Sequence, residues 1–588
     1  MRIDDLALLS DCRTAALVDR EGTISWFSPG RFDAPSVFGR LLDADAGHWM
    51  IRPRTDAASE RRYLDDGPIL RTTFQTDAGE VVLTDALALL PDRRGHEIDG
   101  GGTTHLVRRA ECLRGEMELE VDLAARPEYG LTRPHLAETA DGWELIGGPL
   151  PMRLVTSVPH RADGARLRGS VTLHAGESAS WVLASGTWDG RSAEEAVRDT
   201  RDGWASWAGA HDLLPGPHGA AMRRSAMVLQ ALTYAPNGVV VAAPTTSLPE
   251  RIGEEWNWDY RFAWLRDLSF VVRALWVAAC PDEPRRYFDW IARALGQLDG
   301  DHVQIMFGVD GERDLTEHTL EHLAGFRESR PVRIGNDAWR QTQLDVLGEV
   351  LDSAHLMRDY LGETISGPIR ATLVGLAERA AASWQQPDFG MWEARDQQRH
   401  YLSSKVMCWV ALDRAVRLAP RLGADARVAD WSAARDAVKH AVLEEGWNPE
   451  VRAFTGAVGS DELDASVLLM PLVGIIPGDD ERMRATVERI EERLASAHGV
   501  QRWVDEGSGF VLCGFWLAEC LALAGDGERA EERFAATAAC ANDLGLMAEE
   551  VALDTGEPLG NFPQALSHVG LINAAWRLTE SKEGRDIP

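Results

Sequence analysis

No stretch of this 588-residue chain is long and apolar enough to span a bilayer, which excludes a helical membrane protein. The N-terminal residues Met1 to Ser10 show no long apolar run behind a basic start, so no secretory signal is expected. Cysteine is scarce. Cys12, Cys112, Cys280, Cys408, Cys513, Cys520 and Cys540 are scattered, odd in number and without a CxxC pair. That excludes a disulfide framework and fits free buried thiols in a reducing cytoplasm. Positive charge is also in short supply. Lys and Arg number 61 against 92 Asp and Glu, a net charge of −31. Such a surface repels phosphate backbones and anionic lipid, so neither nucleic acid nor membrane is an expected partner. The chain has no P-loop, no GxGxxG after a strand, no HExxH and no GxSxG elbow. Gly100-Gly-Gly reads as a loop. His318 and His322 stand one helical turn apart, but no third ligand accompanies them, so no metal is expected.

What remains is a soluble globular composition, long enough for two domains, with 21 tryptophans. Most of these belong to the core. Trp256, Trp258, Trp264, Trp392 and Trp503, however, lie in turn-rich segments beside carboxylates, a grouping suited to stacking on sugar rings.

Up to about residue 210 the apolar pattern has period two. Residues 14–19 and 23–27 flank Arg20-Glu-Gly as a hairpin, and 69–74 and 81–84 flank Thr76-Asp-Ala-Gly as another. Further strands are predicted at 116–123, 152–158, 166–173 and 179–184. Short strands punctuated by Gly, Asp and Pro predict an antiparallel β-sandwich.

After about residue 218 the period becomes helical. About twelve amphipathic segments are predicted near 219–234, 262–279, 283–297, 338–360, 367–384, 400–418, 427–444, 463–474, 479–495, 510–524, 527–541 and 564–580. Links after the even-numbered helices are short, whereas those after the odd-numbered ones run from about 14 to about 40 residues, a length usually reserved for function. This rhythm predicts a barrel of six helical hairpins with every long link at one end. The fold class is therefore mixed β then α: residues 1–212 a sandwich with linker, residues 213–588 an (α/α)6 barrel.

Five of the long links do carry clustered polar and aromatic residues. They hold Asn257 to Asp267, Gly308 to Asp314, Asp388 to Arg395, Gln501 to Gly507 and Leu546 to Val551. The remaining link, with Trp447 and Phe454, is less charged. Cutting a glycosidic bond needs one protonated and one ionised carboxyl flanking it. Glu393 follows Trp392 in a Gly-rich turn, where burial beside an indole suits an acid. Glu549 and Glu550 are adjacent, and like charge with solvent access leaves one ionised, which suits a base. Arg266 and Asp267, after Trp264 at a helix start, can donate to and accept from neighbouring sugar hydroxyls. Arg313 and Arg502 are further candidates for holding sugar, and Tyr260 stands in the same aromatic segment.

Asn257-Trp-Asp-Tyr-Arg-Phe-Ala-Trp-Leu-Arg-Asp resembles the signature of glycoside hydrolase family 15, the bacterial glucoamylase and trehalase group. So do Gln304-Ile-Met-Phe-Gly-Val-Asp-Gly-Glu-Arg-Asp, Arg333-Ile-Gly-Asn, Ser404-Lys-Val-Met, Gly560-Asn-Phe-Pro-Gln-Ala-Leu-Ser-His and the opening Leu9-Ser-Asp-Cys-Arg-Thr-Ala-Ala-Leu-Val. The resemblance spans almost the whole chain and implies a sandwich followed by an (α/α)6 barrel. It also implies an inverting mechanism, with Glu393 as acid and, in Ala548-Glu549-Glu550, Glu549 as base. The family's serine before the base is replaced here by Ala548. Arg266 and Asp267 correspond to the pair that holds the terminal glucose, and Arg502 to a loop arginine on the same sugar. Inversion requires the carboxyl groups about 6.5–9.5 Å apart.

The expected partner is a small α-glucoside, trehalose first, with maltose, isomaltose and longer α-glucans as the glucoamylase alternative. A disaccharide phosphorylase and a silent sugar-binding protein are the other readings. The glutamate at 549 favours hydrolysis over phosphorolysis, and the presence of both acid and base disfavours a silent protein. No cofactor is expected; a dependence on phosphate or magnesium finds no supporting ligand set. A second copy of the chain is the other partner allowed for.

Overall fold

The protein is described here by a computed structural model, covering residues 1–211, 216–278, 283–296, 303–359, 365 and 367–583. The expected domain boundary at 212/213 and Cys280 lie outside these residues.

Fourteen antiparallel strands form the N-terminal region, and the two expected hairpins are present as Ala15–Val18 with Thr23–Phe27 and Leu70–Gln75 with Gly79–Leu87. The organising element is one long strand, Thr104–Ala124. Its first half pairs with Gly79–Leu87 and Ser178–Ser185. Its second half pairs with His48–Pro53 and Arg166–His174. In that second half Met117, Leu119, Val121 and Leu123 are buried, while the acidic residues between them face outward, the period-two signature of a half-buried strand. Gly115 marks the changeover; its φ is 67°, and a Cβ there would collide with the Ala78 carbonyl. Arg108 is fully buried in the sandwich. It pairs with buried Asp85 at 2.8 Å and donates to the Trp49 and Gly22 carbonyls at 2.7 Å each.

A helix, Ala193–Gly209, follows the last strand. The strand-like reading up to residue 210 missed it, although its capping box is written in the sequence: Ser192 accepts from the Glu195 amide and Glu195 returns to the Ser192 amide.

The twelve barrel helices are all found. Leu265–Val277, Asp345–Leu356, Leu402–Leu422, the pair Ala465–Leu468 and Leu469–Leu472, Val511–Leu523 and Ala565–Glu583 form a closed inner ring. Gly219–Ala231, Glu283–Gly296, Gly367–Ser383, Val428–Glu445, Glu481–Arg493 and Gly527–Ala538 lie outside it. Composition explains the layers. Every residue from Val511 to Ala522 is buried, as an all-round apolar helix must be. Glu481–Arg493 buries only Met483, Thr486, Val487 and Ile490, a single stripe. The helix expected from 338 begins only at Asp345. The Asp388 carboxylate, from another link, accepts the Leu344 amide at 2.9 Å and fixes the start there. Apolar spacing cannot reveal such a tertiary cap.

Among the described residues no helix is long and apolar enough to cross a membrane. Cys12, Cys112, Cys408, Cys513, Cys520 and Cys540 are free.

Asp85→Ala should leave the Arg108 charge buried and unpaired. The expected loss is about 3–5 kcal/mol of stability, read as a lower denaturant midpoint; a change below about 1 kcal/mol would show that water reaches the site.

Candidate active site

All six long links meet around one pocket of about 1270 Å³. Tyr260, Trp264, Arg266, Asp267, Trp392, Glu393, Arg502 and Glu549 all line it. Arg313 does not. Its Nε donates to Gln304 Oε1 at 3.2 Å, and from its link the lining comes instead from Glu317, Arg333 and Asn336. His318 and His322 lie in a non-helical stretch, and His322 Nε2 contacts the Tyr129 carbonyl at 2.9 Å. They do not form a helical metal pair.

Short strands inside the links, which the sequence pattern did not reveal, place the key groups. Ala263–Trp264 pairs with Met306–Phe307. Glu550–Ala552 pairs with Ser508–Phe510 on one side and Pro558–Leu559 on the other. Glu393 has φ 60°, a left-handed conformation uncommon outside glycine and frequent at functional sites. Its Oε1 accepts the Trp264 indole N–H at 2.7 Å and lies 3.5 Å from Arg266 Nη1. The indole beside it is therefore Trp264 rather than its neighbour Trp392, whose N–H goes to Asp464 at 2.9 Å. Arg266 also donates to Asp267 at 2.9 Å and to the Met391 carbonyl at 2.6 Å.

The surroundings of Glu549 differ from the expected solvated pair. Glu549 and Glu550 are both buried, at 2% and 0% exposure. Glu549 Oε1 accepts the Tyr260 hydroxyl at 2.6 Å. A Cβ on Gly560 would stand 2.6 Å from Glu549 Oε2, so glycine at that left-handed position leaves room for the carboxylate. Burial and the nearby Glu250 carboxylate push Glu549 well above the usual carboxylate range; the Tyr260 hydroxyl and the Arg502 charge pull it back.

Arg502 is the hub of that side. Its Nη2 reaches Glu250 at 2.6 Å and Glu550 at 2.8 Å, and its Nε donates to Glu506. Glu250, Glu506 and Glu550 are close enough to one another to hold a metal ion, but the cation among them is the guanidinium. Of these three glutamates only Glu550, beside Glu549, stands out in the sequence. Glu250, in Leu248-Pro-Glu, and Glu506 carry no periodic or motif signal, whereas the adjacency of Glu550 to Glu549 was visible.

A second acidic group stands near Arg266. Asp345 and Glu349, one turn apart on an inner helix, are buried, and none of their four oxygens has a regular hydrogen-bond donor. Facing carboxyls can satisfy each other only by sharing a proton. Burial, then the Asp388 charge, pushes Asp345 up to about 7, and burial and Asp345 push Glu349 well above the usual carboxylate range.

Residues 216–576 match the family described as "Glycosyl hydrolases family 15", and residues 1–176 match "Trehalase-like, N-terminal". The trehalase of Mycolicibacterium smegmatis is 36% identical over 99% of this chain and 92% of its own length. The trehalase of Mycobacterium tuberculosis is 35% identical over 99% and 90%. An isomaltose glucohydrolase of Kribbella flavida is 26% identical over 56% of this chain and 79% of its own. A bacterial glucoamylase solved with acarbose superposes with a TM-score of 0.73 at 12% identity, covering 98% of this chain and 94% of that one, which shows a shared fold. Fold and site thus define a glycoside hydrolase. The chain belongs to glycosyl hydrolase family 15.

The shared proton gives this site a pH signature. The folded protein keeps the Asp345 proton up to about pH 7, whereas an unfolded aspartate releases it near pH 4. Stability therefore falls as pH rises through that window. Asp345→Asn should flatten the fall in denaturant midpoints from about pH 4 to about pH 8; an unchanged slope would mean the pair holds no extra proton.

Proposed function

We propose that the protein is a cytoplasmic trehalase, hydrolysing the α-glucosidic bond of trehalose with inversion to release β-glucose. The observation that carries the chemistry is the pair of carboxyls in one pocket, each fixed by a donor from the same segment: Glu393 by Trp264 and Glu549 by Tyr260. Full-length similarity to trehalases supports the substrate. The free cysteines support a reducing compartment.

In this reading Arg266 and Asp267 hold the hydroxyls of the terminal glucose, with Trp264, Trp392 and Tyr260 as walls. Arg502 acts through its ion pairs beside the base. Glu393 is the general acid. Its Oε1 already accepts the Trp264 N–H, so the transferable proton sits on Oε2 and passes to the glycosidic oxygen. Glu549 is the general base, taking a proton from the water that attacks the anomeric carbon from the other face. The base must be ionised, so the Tyr260 and Arg502 contacts that favour its charge are part of the machinery. The reaction as drawn uses two carboxyls and water, with no step for magnesium or phosphate.

Glu393→Gln and Glu549→Gln should each lower kcat about 10²- to 10⁴-fold. Retained turnover in either would remove that residue from its role. Tyr260→Phe removes a donor to the ionised base, so the acid limb of the kcat/KM profile should move to higher pH. A product assay over trehalose, maltose, isomaltose and soluble starch, with the anomer followed by NMR, tests substrate and stereochemistry together. On trehalose, inversion gives one β-glucose from the attacked ring and one α-glucose from the departing ring, so α-glucose alone as first product, or preference for starch, would overturn this reading.

A further inference from the structure

The sandwich touches the barrel where the site is built. Trp26, on the strand Thr23–Phe27, donates from Nε1 to the Pro244 carbonyl at 2.7 Å. Ser10 Oγ donates to the Ala231 carbonyl at 2.6 Å, and the Ala235 amide donates to the Cys12 carbonyl at 2.7 Å. A fully buried contact of the same kind involves Arg261, which is 1% exposed. Its guanidinium grips Asp259 with both prongs, at 2.8 and 2.6 Å, and its Nη1 donates to the Ala34 carbonyl of the sandwich at 2.9 Å. It stands 5.9 Å from the Trp26 ring centre and 5.4 Å from that of Tyr129, both from the N-terminal domain. Asp259 is held from the barrel side as well, accepting the Gly335 amide at 3.1 Å.

Tyr260 lies between these two fixed residues. Side chains alternate along an extended chain. Asp259 and Arg261 anchor to each other and to the sandwich, while Tyr260 turns to Glu549, its hydroxyl 2.6 Å from Oε1. Three residues after Arg261, Trp264 binds Glu393. One short run of backbone therefore carries the contacts to both carboxyls, and the sandwich clamps its outer side.

We propose that the N-terminal sandwich serves the reaction as a positioning element, and that Arg261 is the positioning residue through which it holds Tyr260 against Glu549. The inference rests on Glu549 being the base. It assigns the sandwich a part in turnover distinct from folding: an Arg261 that only held the domains together would lower the amount of folded enzyme and leave the chemistry of each folded molecule intact.

The test uses the full chain. Arg261→Lys keeps the charge but loses the two-pronged grip, Tyr129→Phe removes a hydroxyl that interacts with the guanidinium, and Asp85→Asn weakens the sandwich elsewhere. Steady-state kinetics on trehalose are followed across pH and normalised to folded protein. Arg261→Lys should lower kcat about tenfold or more, with KM changed less than about threefold and the acid limb of kcat/KM moved to higher pH. Tyr129→Phe should shift in the same direction by less, and Asp85→Asn should lose stability with kcat and the pH profile unchanged. If Arg261→Lys fails to fold, Tyr129→Phe decides alone. Folded Tyr129→Phe or Arg261→Lys with the parent's kcat and pH limbs would overturn the proposal. Glu549→Gln in the same series separates the two claims: its continued turnover would sink the base itself, whereas its inactivity beside unaltered Arg261 and Tyr129 variants would sink only the positioning role.

Discussion

Two hydrogen bonds from one segment, Tyr260 to Glu549 and Trp264 to Glu393, set the geometry on which the rest of the pocket depends. A pair of carboxyls on separate links of a helical barrel has no reason to keep a fixed spacing, because each link is free to settle by itself. Here both are referred to the same short stretch of chain. That stretch is pinned by a sheet contact to Met306–Phe307, by the Asp259–Arg261 grip and by the N-terminal domain. The barrel supplies the platform, and this segment supplies the measure.

Electrostatics follow the same division. On each side one arginine stands among more carboxyls than it can neutralise: Arg502 among Glu250, Glu506, Glu550 and Glu549, and Arg266 among Asp267, Glu393, Asp345 and Glu349. In a buried setting the surplus cannot all stay ionised, so protons become part of the structure. Some of the chain's acidic excess is thus internal to the site rather than spread over a solvated surface. A neutral sugar enters such a place without the repulsion an anionic ligand would meet.

Much of this was legible in the sequence. Period-two strands gave way to helical periodicity, and the alternation of short and long links predicted a barrel of six helical hairpins with the site at one end. Trp264, Arg266, Asp267, Trp392 and Glu393 were visible because they cluster beside turns. The helix Ala193–Gly209 interrupts the period-two region, and only its Ser192–Glu195 capping box announces it in the sequence. What could not be read is what depends on distant residues: the Asp388 cap, the short strands within the links, the burial of Glu549 and the gathering of Glu250 and Glu506 around Arg502. Arg313 looked like a sugar ligand because it is charged and in a long link. Its side chain is taken by Gln304, and nothing local predicts that.

The last long link also meets the N-terminal region. Asp543 is gripped by Arg20, in the turn before Thr23–Phe27, and by Arg61, on the strand Ala58–Tyr63, and Asn542 donates to the Asp4 and Leu6 carbonyls. The inner ring closes only when Ala565–Glu583 fills the gap between Leu265–Val277 and Val511–Leu523. Pairings this remote in sequence are slow to form. During synthesis, the sandwich and five helical hairpins can assemble while the ring stays open and Glu549 is not yet in place. The pocket is therefore complete only once Ala565–Glu583 has docked, because the link that carries Glu549 leads directly into that helix.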